Sequence, residues 1–382
     1  MKTPKLGRDI WLLFAESAMT SFVLFMPVAY LLFKSLGMNQ FQIGVTQFVF
    51  AATLLLFEVP TGYFADRVSR KISNASGDIF MACGVLIYFV ATGFWHAIIA
   101  EVLFGIGYSL TSGADSALLK AHAEKRKLPY LKLASRMQSI GFVASGIGAI
   151  LGGFMGAHNI RWPFLAQAII FAIAAILAFQ IKNAGEKRKT DVHPLRDVSR
   201  IVRYCLRGHP QLAWRSALGA CLMGSTMMMV WFMTPSWLAA GIDIQFHGLL
   251  FAAVSIIAIA GSEFVARDKK MKPATPFLIS AVAYFAMGWQ LSLFTVTLFL
   301  LTSFARGINT ARVKPYIQEV VPEDIQATAL SVYGMLYRVV TSTLVLLVNF
   351  IGNYELSYGL LASGVISVVM WVIFWMNEPK YS

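Results

Sequence analysis

Long apolar runs separated by short polar segments make up most of this chain. A helix needs about 20 apolar residues to cross a bilayer, whereas a membrane strand needs only about 10. The length of the runs, rather than any periodicity within them, therefore predicts helices. Twelve spans are predicted, at residues 10–33, 41–64, 73–95, 97–119, 137–157, 162–181, 213–239, 247–266, 275–292, 294–313, 328–350 and 355–376.

The composition agrees with that pattern. Of the 382 residues, 57% are hydrophobic and 13% are charged, and the mean hydropathy is +0.65. A soluble domain carries about 25% charged residues. The sequence therefore predicts an all-α integral membrane protein in contact with a lipid bilayer.

Basic residues are distributed unevenly between the two sides that the twelve spans define. With the N-terminus in the cytoplasm, all but four of the 32 lysines and arginines fall on the cytoplasmic side. The exceptions are Lys34 and Arg161 outside, and Arg306 and Arg338 within spans. Cytoplasmic loops are enriched in Lys and Arg, so we expect a multi-pass protein of the cell inner membrane with both termini cytoplasmic. The net charge of +13 then reflects topology and predicts no nucleic-acid partner.

Six predicted spans lie on each side of a long polar segment. This predicts a six-helix bundle over residues 1–181, a cytoplasmic linker over 182–212 and a second six-helix bundle over 213–382. Within the linker, apolar residues recur at helical spacing and arginines occupy another face, which favours an amphipathic helix over a plain solvated segment. Two pseudo-symmetric six-span halves are typical of secondary transporters.

The stretch GYFADRVSRK, between spans 2 and 3, places an acid and three bases in an otherwise apolar region. It resembles the signature of the major facilitator superfamily, usually Gly-x-x-x-Asp-Arg-x-Gly-Arg-Lys. The matching residues are Gly62, Asp66, Arg67, Arg70 and Lys71. Ser69 stands where the family usually has a second glycine. The twelve-span plan extends the resemblance over the whole chain and implies alternating access.

The resemblance implies a gating latch formed by these residues. In the family the acid of the motif faces the cytoplasmic start of span 11, here VPEDIQATALS. The free N–H groups of a helix start carry partial positive charge, so Asp66 is expected to dock there with about 0.3–2 kcal/mol. An alternative for the basic residues is that they only fix topology.

Two further stretches place the chain within the family. EVLFGIGYSLTSGADSALL resembles the drug and macrolide-type exporter branch, although Glu101 stands where the family's span 4 signature has an Arg. Span 5 reads GFVASGIGAILGGFMG, which resembles the antiporter signature except for a missing Pro. Its glycines are equally well explained by close helix packing.

Acids within spans are candidates for proton coupling, because a buried charge is costly and is kept only beside a cavity or a partner. Glu16 in span 1 and Glu101 in span 4 lie furthest from the cytoplasmic ends, and Asp115 is the next candidate. Each is also compatible with a structural, hydrogen-bonded carboxylate. The expected energy source is the proton gradient, with no further cofactor.

Candidate substrate contacts come from spans 1, 7, 10 and 11. The resemblance implies that spans 1 and 7 flank a central cavity, which suggests Glu16, Met227 and Trp231 as lining residues, with Phe232 and Trp237 beside them. Arg306 and Arg338 are expected either to hold an anionic substrate or to neutralise a nearby acid. The Met223–Met227 and Met229–Met233 pairs leave Cu(I) transport as a weaker alternative, although no Cys supports a metal site.

These features together predict a transporter and not an enzyme. The sequence holds no Gly-x-x-x-x-Gly-Lys-Ser/Thr phosphate loop and no nucleophile constellation. The expected function is proton-coupled efflux of a small organic amphiphile by a monomer. Alternatives are a selective carrier of an organic anion, a lipid translocator and a sensor without transport activity.

Overall fold

The protein is described by a computed structural model over residues 6–182, 209–267, 271–321 and 326–381. All regular secondary structure in these ranges is helical. The first eight helices are α1 (Arg8–Ser21), α2 (Ala29–Ser35), α3 (Gln40–Arg67), α4 (Arg70–Val90), α5 (Phe94–Thr111), α6 (Ala114–Lys125), α7 (Tyr130–His158) and α8 (Trp162–Gln180). The following seven are α9 (Pro210–Met227), α10 (Val230–Ala239), α11 (His247–Arg267), α12 (Thr275–Trp289), α13 (Phe299–Gln318), α14 (Gln326–Ile351) and α15 (Leu356–Tyr381).

Ten helical segments of the described chain are long and apolar enough to cross a membrane, and they overlap ten of the twelve predicted spans. The ninth predicted span corresponds to Thr275–Trp289, which is apolar but shorter. The tenth corresponds to Phe299–Gln318, whose Arg306, Arg312 and Lys314 lower its hydropathy. A turn between Trp289 and a 3-10 segment at Thr295–Leu298 separates the two. Twelve spans and the orientation stay predictions.

Three of the predicted spans are interrupted. Span 1 comprises α1 and α2, joined by a 3-10 turn at Met26–Val28. Span 4 comprises α5 and α6, and the chain turns at Gly113, whose φ of 83° lies in the left-handed region that glycine tolerates. Span 7 comprises α9 and α10, which are separated at Met228 and Met229. Interrupted helices recur at the binding sites of secondary transporters.

Contacts divide the chain into two compact units. Unit 1 comprises the described parts of Met1–Gly37, Ala52–Val192 and Ile244–Leu249, and unit 2 comprises those of Met38–Ala51, His193–Asp243 and Leu250–Ser382. In unit 1 an apolar cluster around Ile10, Phe14 and Leu118 joins α1 to α4 and α6. Unit 2 holds two apolar clusters, one around Phe277 and Tyr333 and one around Phe232 and Trp237.

The surface of both units is rich in large apolar side chains. Leu56, Trp95 and Trp289 are 71%, 73% and 88% exposed. A water-soluble monomer rarely presents large continuous apolar surface. These side chains therefore suit contact with lipid acyl chains, as the apolar runs predict.

The predicted amphipathic helix of the linker lies almost entirely outside the described residues. The structure describes only Lys182 and His209 to Leu212 of the 182–212 segment. The proposed boundaries of the two bundles and the linker helix stay predictions.

Candidate functional site

Three carboxylates from different helices of unit 1, in predicted spans 1, 3 and 4, are electrostatic neighbours of one another. Glu16 of α1 has Asp78 of α4 and Asp115 of α6 as its acidic electrostatic neighbours. Asp78 and Asp115 are also electrostatic neighbours of each other. Asn74 lies beside Glu16, one helical turn before Asp78. We call Glu16, Asn74, Asp78 and Asp115 the acidic cluster.

Three of the four residues of the acidic cluster are closed off from solvent. Asn74 and Asp78 are 0% exposed and Glu16 is 2% exposed, while Asp115 is half-buried. Oε2 of Glu16, both carboxylate oxygens of Asp78 and both amide atoms of Asn74 have no hydrogen-bond partner among the described residues. Asn74 therefore faces Glu16 without completing a hydrogen bond. No described cation is an electrostatic neighbour of the three acids.

Local sequence explains how α4 and α6 present these side chains. Gly77 of α4 meets Gly107 of α5 so closely that a Cβ on Gly77 would lie 2.6 Å from the Gly107 carbonyl oxygen. The next residue, Asp78, is fully buried. The left-handed turn at Gly113 places Asp115 in the first turn of α6, where it accepts a hydrogen bond from the Ser116 amide.

This arrangement can hold protons. Like charges close together in a low-dielectric surrounding repel, and burial disfavours the charged form of each carboxyl. Three acids without a described counter-charge are therefore candidates for a shared proton-binding site. A protonated carboxyl also supplies the donor that the unpaired oxygens of Asp78 and Asn74 need.

Glu101 lies in a different environment from the acidic cluster. Its Oε1 accepts a hydrogen bond of 2.7 Å from the Tyr88 hydroxyl, between α5 and α4. The Tyr88 ring packs between Phe33 and Phe164, at centroid distances of 5.6 and 5.7 Å. Glu101 is thus one member of a buried hydrogen-bonded pair. The structure groups Asp115 with Glu16 and does not make Glu101 a neighbour of that pair.

The interruption of span 1 lies just beyond Glu16 and is held by two helices of unit 1. The Leu24 amide donates a hydrogen bond of 2.9 Å to Oε1 of Gln167 on α8. The glycines of α7 lie against the interrupted chain, with Gly148 facing Val23 and Gly152 facing the Leu24 carbonyl. The glycine-rich stretch of span 5 therefore packs against span 1, which explains its glycines by close approach of the backbone.

The signature stretch is mostly helical. Residues Gly62 to Arg67 end α3, and Arg70 and Lys71 begin α4, so that only Val68 and Ser69 connect the two helices. Ser69 caps α4 by accepting a hydrogen bond from the Ile72 amide, which gives this departure from the family pattern a structural role. Arg67 lies over the Tyr63 ring at 4.6 Å. The Asp66 side chain and residues 322–325 at the start of span 11 lie outside the described residues, so the latch stays a prediction.

In unit 2, Met227 and Trp231 flank the interruption of span 7. Both side chains are half-buried, whereas Phe232 and Trp237 are 0% and 1% exposed and belong to the apolar core. Phe232 and Trp237 are therefore packing residues, contrary to their expected place beside a cavity. The sulfur of Met229 accepts a hydrogen bond from Thr302 at 2.6 Å.

The two arginines predicted within spans differ in their contacts. Arg338 on α14 has an interaction partner. Arg306 on α13 is half-buried, and its one electrostatic neighbour among the described residues is the hydroxyl of Tyr337. Asp78 was among the acids within the predicted spans but was not a predicted coupling residue, and Tyr337, Asn74 and Gln167 were not predicted as site residues. The four-residue spacing of Asn74 and Asp78 in an apolar span was the available signal for that pair.

Comparison with known proteins agrees with this architecture. The family model of the Major Facilitator Superfamily matches residues 10–345. The chain belongs to this superfamily. Its relatives with curated descriptions include an MFS-type transporter and a multidrug resistance protein, which agrees with the resemblance to the exporter branch.

Relatives with curated descriptions match part of the chain. It is 29% identical to an uncharacterized MFS-type transporter, YxaM of Bacillus subtilis (strain 168), over 40% of this chain and 38% of the relative. Multidrug resistance protein 1 of the same organism is 26% identical over 43% of this chain and 42% of the relative. The matches thus span less than half the length of these two relatives.

Among solved structures, the chain resembles the nucleoside transporter NupG with a TM-score of 0.78. The likeness covers 98% of both chains at 14% identity. At this identity it shows a shared fold and carries no information about the substrate.

Proposed function

We propose that this superfamily member is a proton-coupled exporter of small organic amphiphiles that works by alternating access. It would act as a monomeric antiporter with twelve spans in the inner membrane, with both termini in the cytoplasm, and would use the proton gradient without another cofactor. The acidic cluster of Glu16, Asn74, Asp78 and Asp115 carries the proposal. Drug-resistance relatives support the direction and the substrate class, by similarity over less than half of their length.

Coupling requires a site whose proton content changes during the transport cycle. The acidic cluster has this property because its three acids lie on three different helices of unit 1. A small shift of α1 against α4 and α6 would change both the spacing of the charges and their access to water. Since the repulsion between like charges depends on distance and dielectric, such a shift would release or bind protons.

Glu16 occupies the position where such a shift has the largest effect. It lies five residues before the end of α1, next to the interruption of span 1. Helix interruptions absorb the backbone changes that accompany conformational switching. Glu16 and Asp78 therefore have the main role in proton binding, Asp115 completes the cluster, and Asn74 is the neutral neighbour of Glu16.

Loose selection of substrates fits the half-buried surface of span 7. Met227 and Trp231 offer a flexible thioether and an indole ring, which select by shape and apolar area. The Cu(I) alternative is less supported, because Met229 is fully buried against Thr302. Lipid translocation, the other alternative, would use a similar apolar surface.

The test uses inverted membrane vesicles acidified by respiration, with acridine orange reporting the pH gradient. Ethidium, tetraphenylphosphonium and decanesulfonate are added one at a time. A proton-coupled exporter dissipates part of the gradient when a transported compound is present. Vesicles carrying the Glu16→Gln, Asp78→Asn double variant should show no compound-dependent change, whereas Glu263→Gln, on the exposed face of α11, should behave as the parent. Equal dissipation by the double variant would refute coupling through the acidic cluster.

A further inference from the structure

Arg306 is a cation in the tenth predicted span, and no described residue supplies it with a counter-charge. It lies on α13 roughly 10 Å along the axis from Phe299, the first residue of the helix. Its guanidinium forms no hydrogen bond or ion pair with any described residue. In contrast, Arg312 on the same helix and Arg338 on α14 each have an interaction partner. A cation within a span is expensive and is kept where it meets water, a partner or a ligand.

A polar face of α14 lies next to this guanidinium. Tyr333, Tyr337 and Thr341 follow one another at four-residue spacing, so they share one face of the helix. The rings of Tyr333 and Tyr337 stack at a centroid distance of 6.3 Å. Tyr337 is the electrostatic neighbour of Arg306. Tyr337 lies roughly 16 Å from the first residue of α14 and roughly 21 Å from its last, which is near the middle of the helix.

Packing against α9 fixes the position of this polar face. A Cβ on Gly219 would lie 3.1 Å from the Tyr333 ring, and one on Gly224 would lie 3.5 Å from Oγ1 of Thr341. The glycines therefore let α14 approach α9 on both sides of Tyr337. Oγ1 of Thr341 is buried and has no hydrogen-bond partner among the described residues. Tyr337 itself is half-buried, as is Arg306.

The chemistry of these two side chains defines the ligand. Arginine stays charged in proteins and presents five donors in a planar fork that matches a carboxylate or a sulfonate. Tyr337 already interacts with another group, and its phenol hydroxyl adds a donor when it turns to the same ligand group. We infer that Arg306 and Tyr337 form a binding site for the anionic head group of an amphiphilic substrate. This inference rests on the proposed transport function and narrows its substrate class to amphiphiles that carry an anionic group.

The site is separate from the acidic cluster. Arg306 and Tyr337 belong to unit 2, and Glu16, Asp78 and Asp115 belong to unit 1. Substrate recognition and proton binding therefore rely on different side chains. Binding at Arg306 can be measured without a proton gradient, so that the recognition site and proton coupling are tested independently.

The experiment measures binding to the purified chain in phosphatidylcholine nanodiscs. The probes are a dansylated undecanoic acid and its methyl ester, which differ in the charge of the head group. We expect the acid to bind at least about tenfold more tightly than the ester, because a hydrogen-bonded charge is lost with the ester. Arg306→Gln should remove this preference and leave the affinity for the ester unchanged, which also shows that the variant is folded.

Further variants separate charge from geometry. Arg306→Lys keeps the charge without the fork and should retain only part of the preference. Tyr337→Phe should reduce it by about three- to tenfold, through the loss of one hydroxyl donor. Arg267→Gln on the exposed end of α11 and Tyr354→Phe at an exposed position should retain the full preference of the parent.

Both a soluble amphiphile and a lipid head group carry the anionic chemistry that the site requires. Repeating the measurement in phosphatidylglycerol nanodiscs distinguishes them. Unchanged affinity for the acid identifies a soluble amphiphile, and competition by phosphatidylglycerol that disappears in Arg306→Gln identifies a lipid head group. Equal affinity of the parent for the acid and the ester overturns the inference. So does a preference for the acid that persists in Arg306→Gln.

Discussion

The Tyr88 hydroxyl donates a hydrogen bond of 2.7 Å to Glu101, inside the packed helices of unit 1. Two membrane acids that look alike in the sequence, Glu16 and Glu101, are therefore placed in different surroundings. Glu101 has a neutral donor as a partner, whereas Glu16 has two further acids as neighbours. The difference predicts different consequences of removing each charge.

Replacing Glu101 should affect stability more than coupling. Glu101→Gln keeps an oxygen acceptor for Tyr88, so we expect a loss of about 1 kcal/mol or less in the free energy of unfolding. Tyr88→Phe leaves the carboxyl without this donor and should cost about 1–3 kcal/mol. Thermal unfolding in detergent checks the order of the two variants. In vesicles, Glu101→Gln should keep the response of transport to pH, and loss of that response would give Glu101 the role assigned to Glu16.

Gly152 and Gly146 form a matched pair on α7. A Cβ on Gly152 would collide with the carbonyl oxygen of Leu24, whereas one on Gly146 would meet open space. Gly152→Ala should therefore destabilise the chain by about 1–3 kcal/mol, the usual cost of overpacking. Gly146→Ala should be neutral or stabilise by up to about 1 kcal/mol, because alanine favours the helix. The measurement is the melting temperature of each variant. Equal melting temperatures would contradict the close packing of span 1 against α7.

Residues at the interruption of span 7 should determine which compounds are moved. We expect Trp231→Ala or Met227→Ala to change the relative rates within a panel of structurally unrelated amphiphiles without abolishing transport. The reason is that both side chains are half-buried and contribute apolar area rather than one fixed contact. Trp289→Ala, at a highly exposed position, is the control and should leave the profile unchanged. Selectivity that is identical in parent and variants would exclude this surface from substrate contact.

The signature stretch is predicted to act on the rate of transport. Asp66→Asn should lower the rate while expression and thermal stability stay at the parent level, because it removes the charge expected to meet the start of span 11. Asp243→Asn, at an exposed position of unit 2, provides a control for the loss of an acid. Initial rates in proteoliposomes are the measurement. A parental rate for Asp66→Asn would eliminate the latch.

The sequence predicted the helical architecture well for physical reasons. Runs of about 20 apolar residues have few alternatives in a bilayer, and ten of them coincide with helices of sufficient length and hydropathy. The turn between the ninth and tenth predicted spans was also confirmed, at 290–294. Helix interruptions were not predicted, because apolar runs hide them. Pro27 in span 1 and Gly113 in span 4 were the available sequence signals for two of the three interruptions.

The grouping of side chains was harder to predict. Helices that are apolar on all sides show no amphipathic face, so the sequence does not reveal which residues face one another. Glu16 and Glu101 were the favoured coupling candidates and Asp115 the next one, and tertiary packing of α1, α4 and α6 makes Asp115, not Glu101, the neighbour of Glu16. For the same reason, the sequence did not reveal Tyr337 as the neighbour of Arg306. Arg338 seemed equally suited to an anion, yet it already has a partner in the structure.

Proton release on substrate binding is the most direct test of the central claim that the acidic cluster couples transport to protons. Decanesulfonate and decyltrimethylammonium have fixed charges, so they neither take up nor release protons themselves. Each is added to the purified, weakly buffered protein, and a pH-sensitive dye reports the change. The account predicts release by the parent with at least one compound that binds, and no release by the Glu16→Gln, Asp78→Asn double variant although the compound still binds. Proton release of the same size from the double variant would contradict this claim. So would binding of a compound to the parent without proton release at any pH from about 5 to 8, the range in which maximal stability is common.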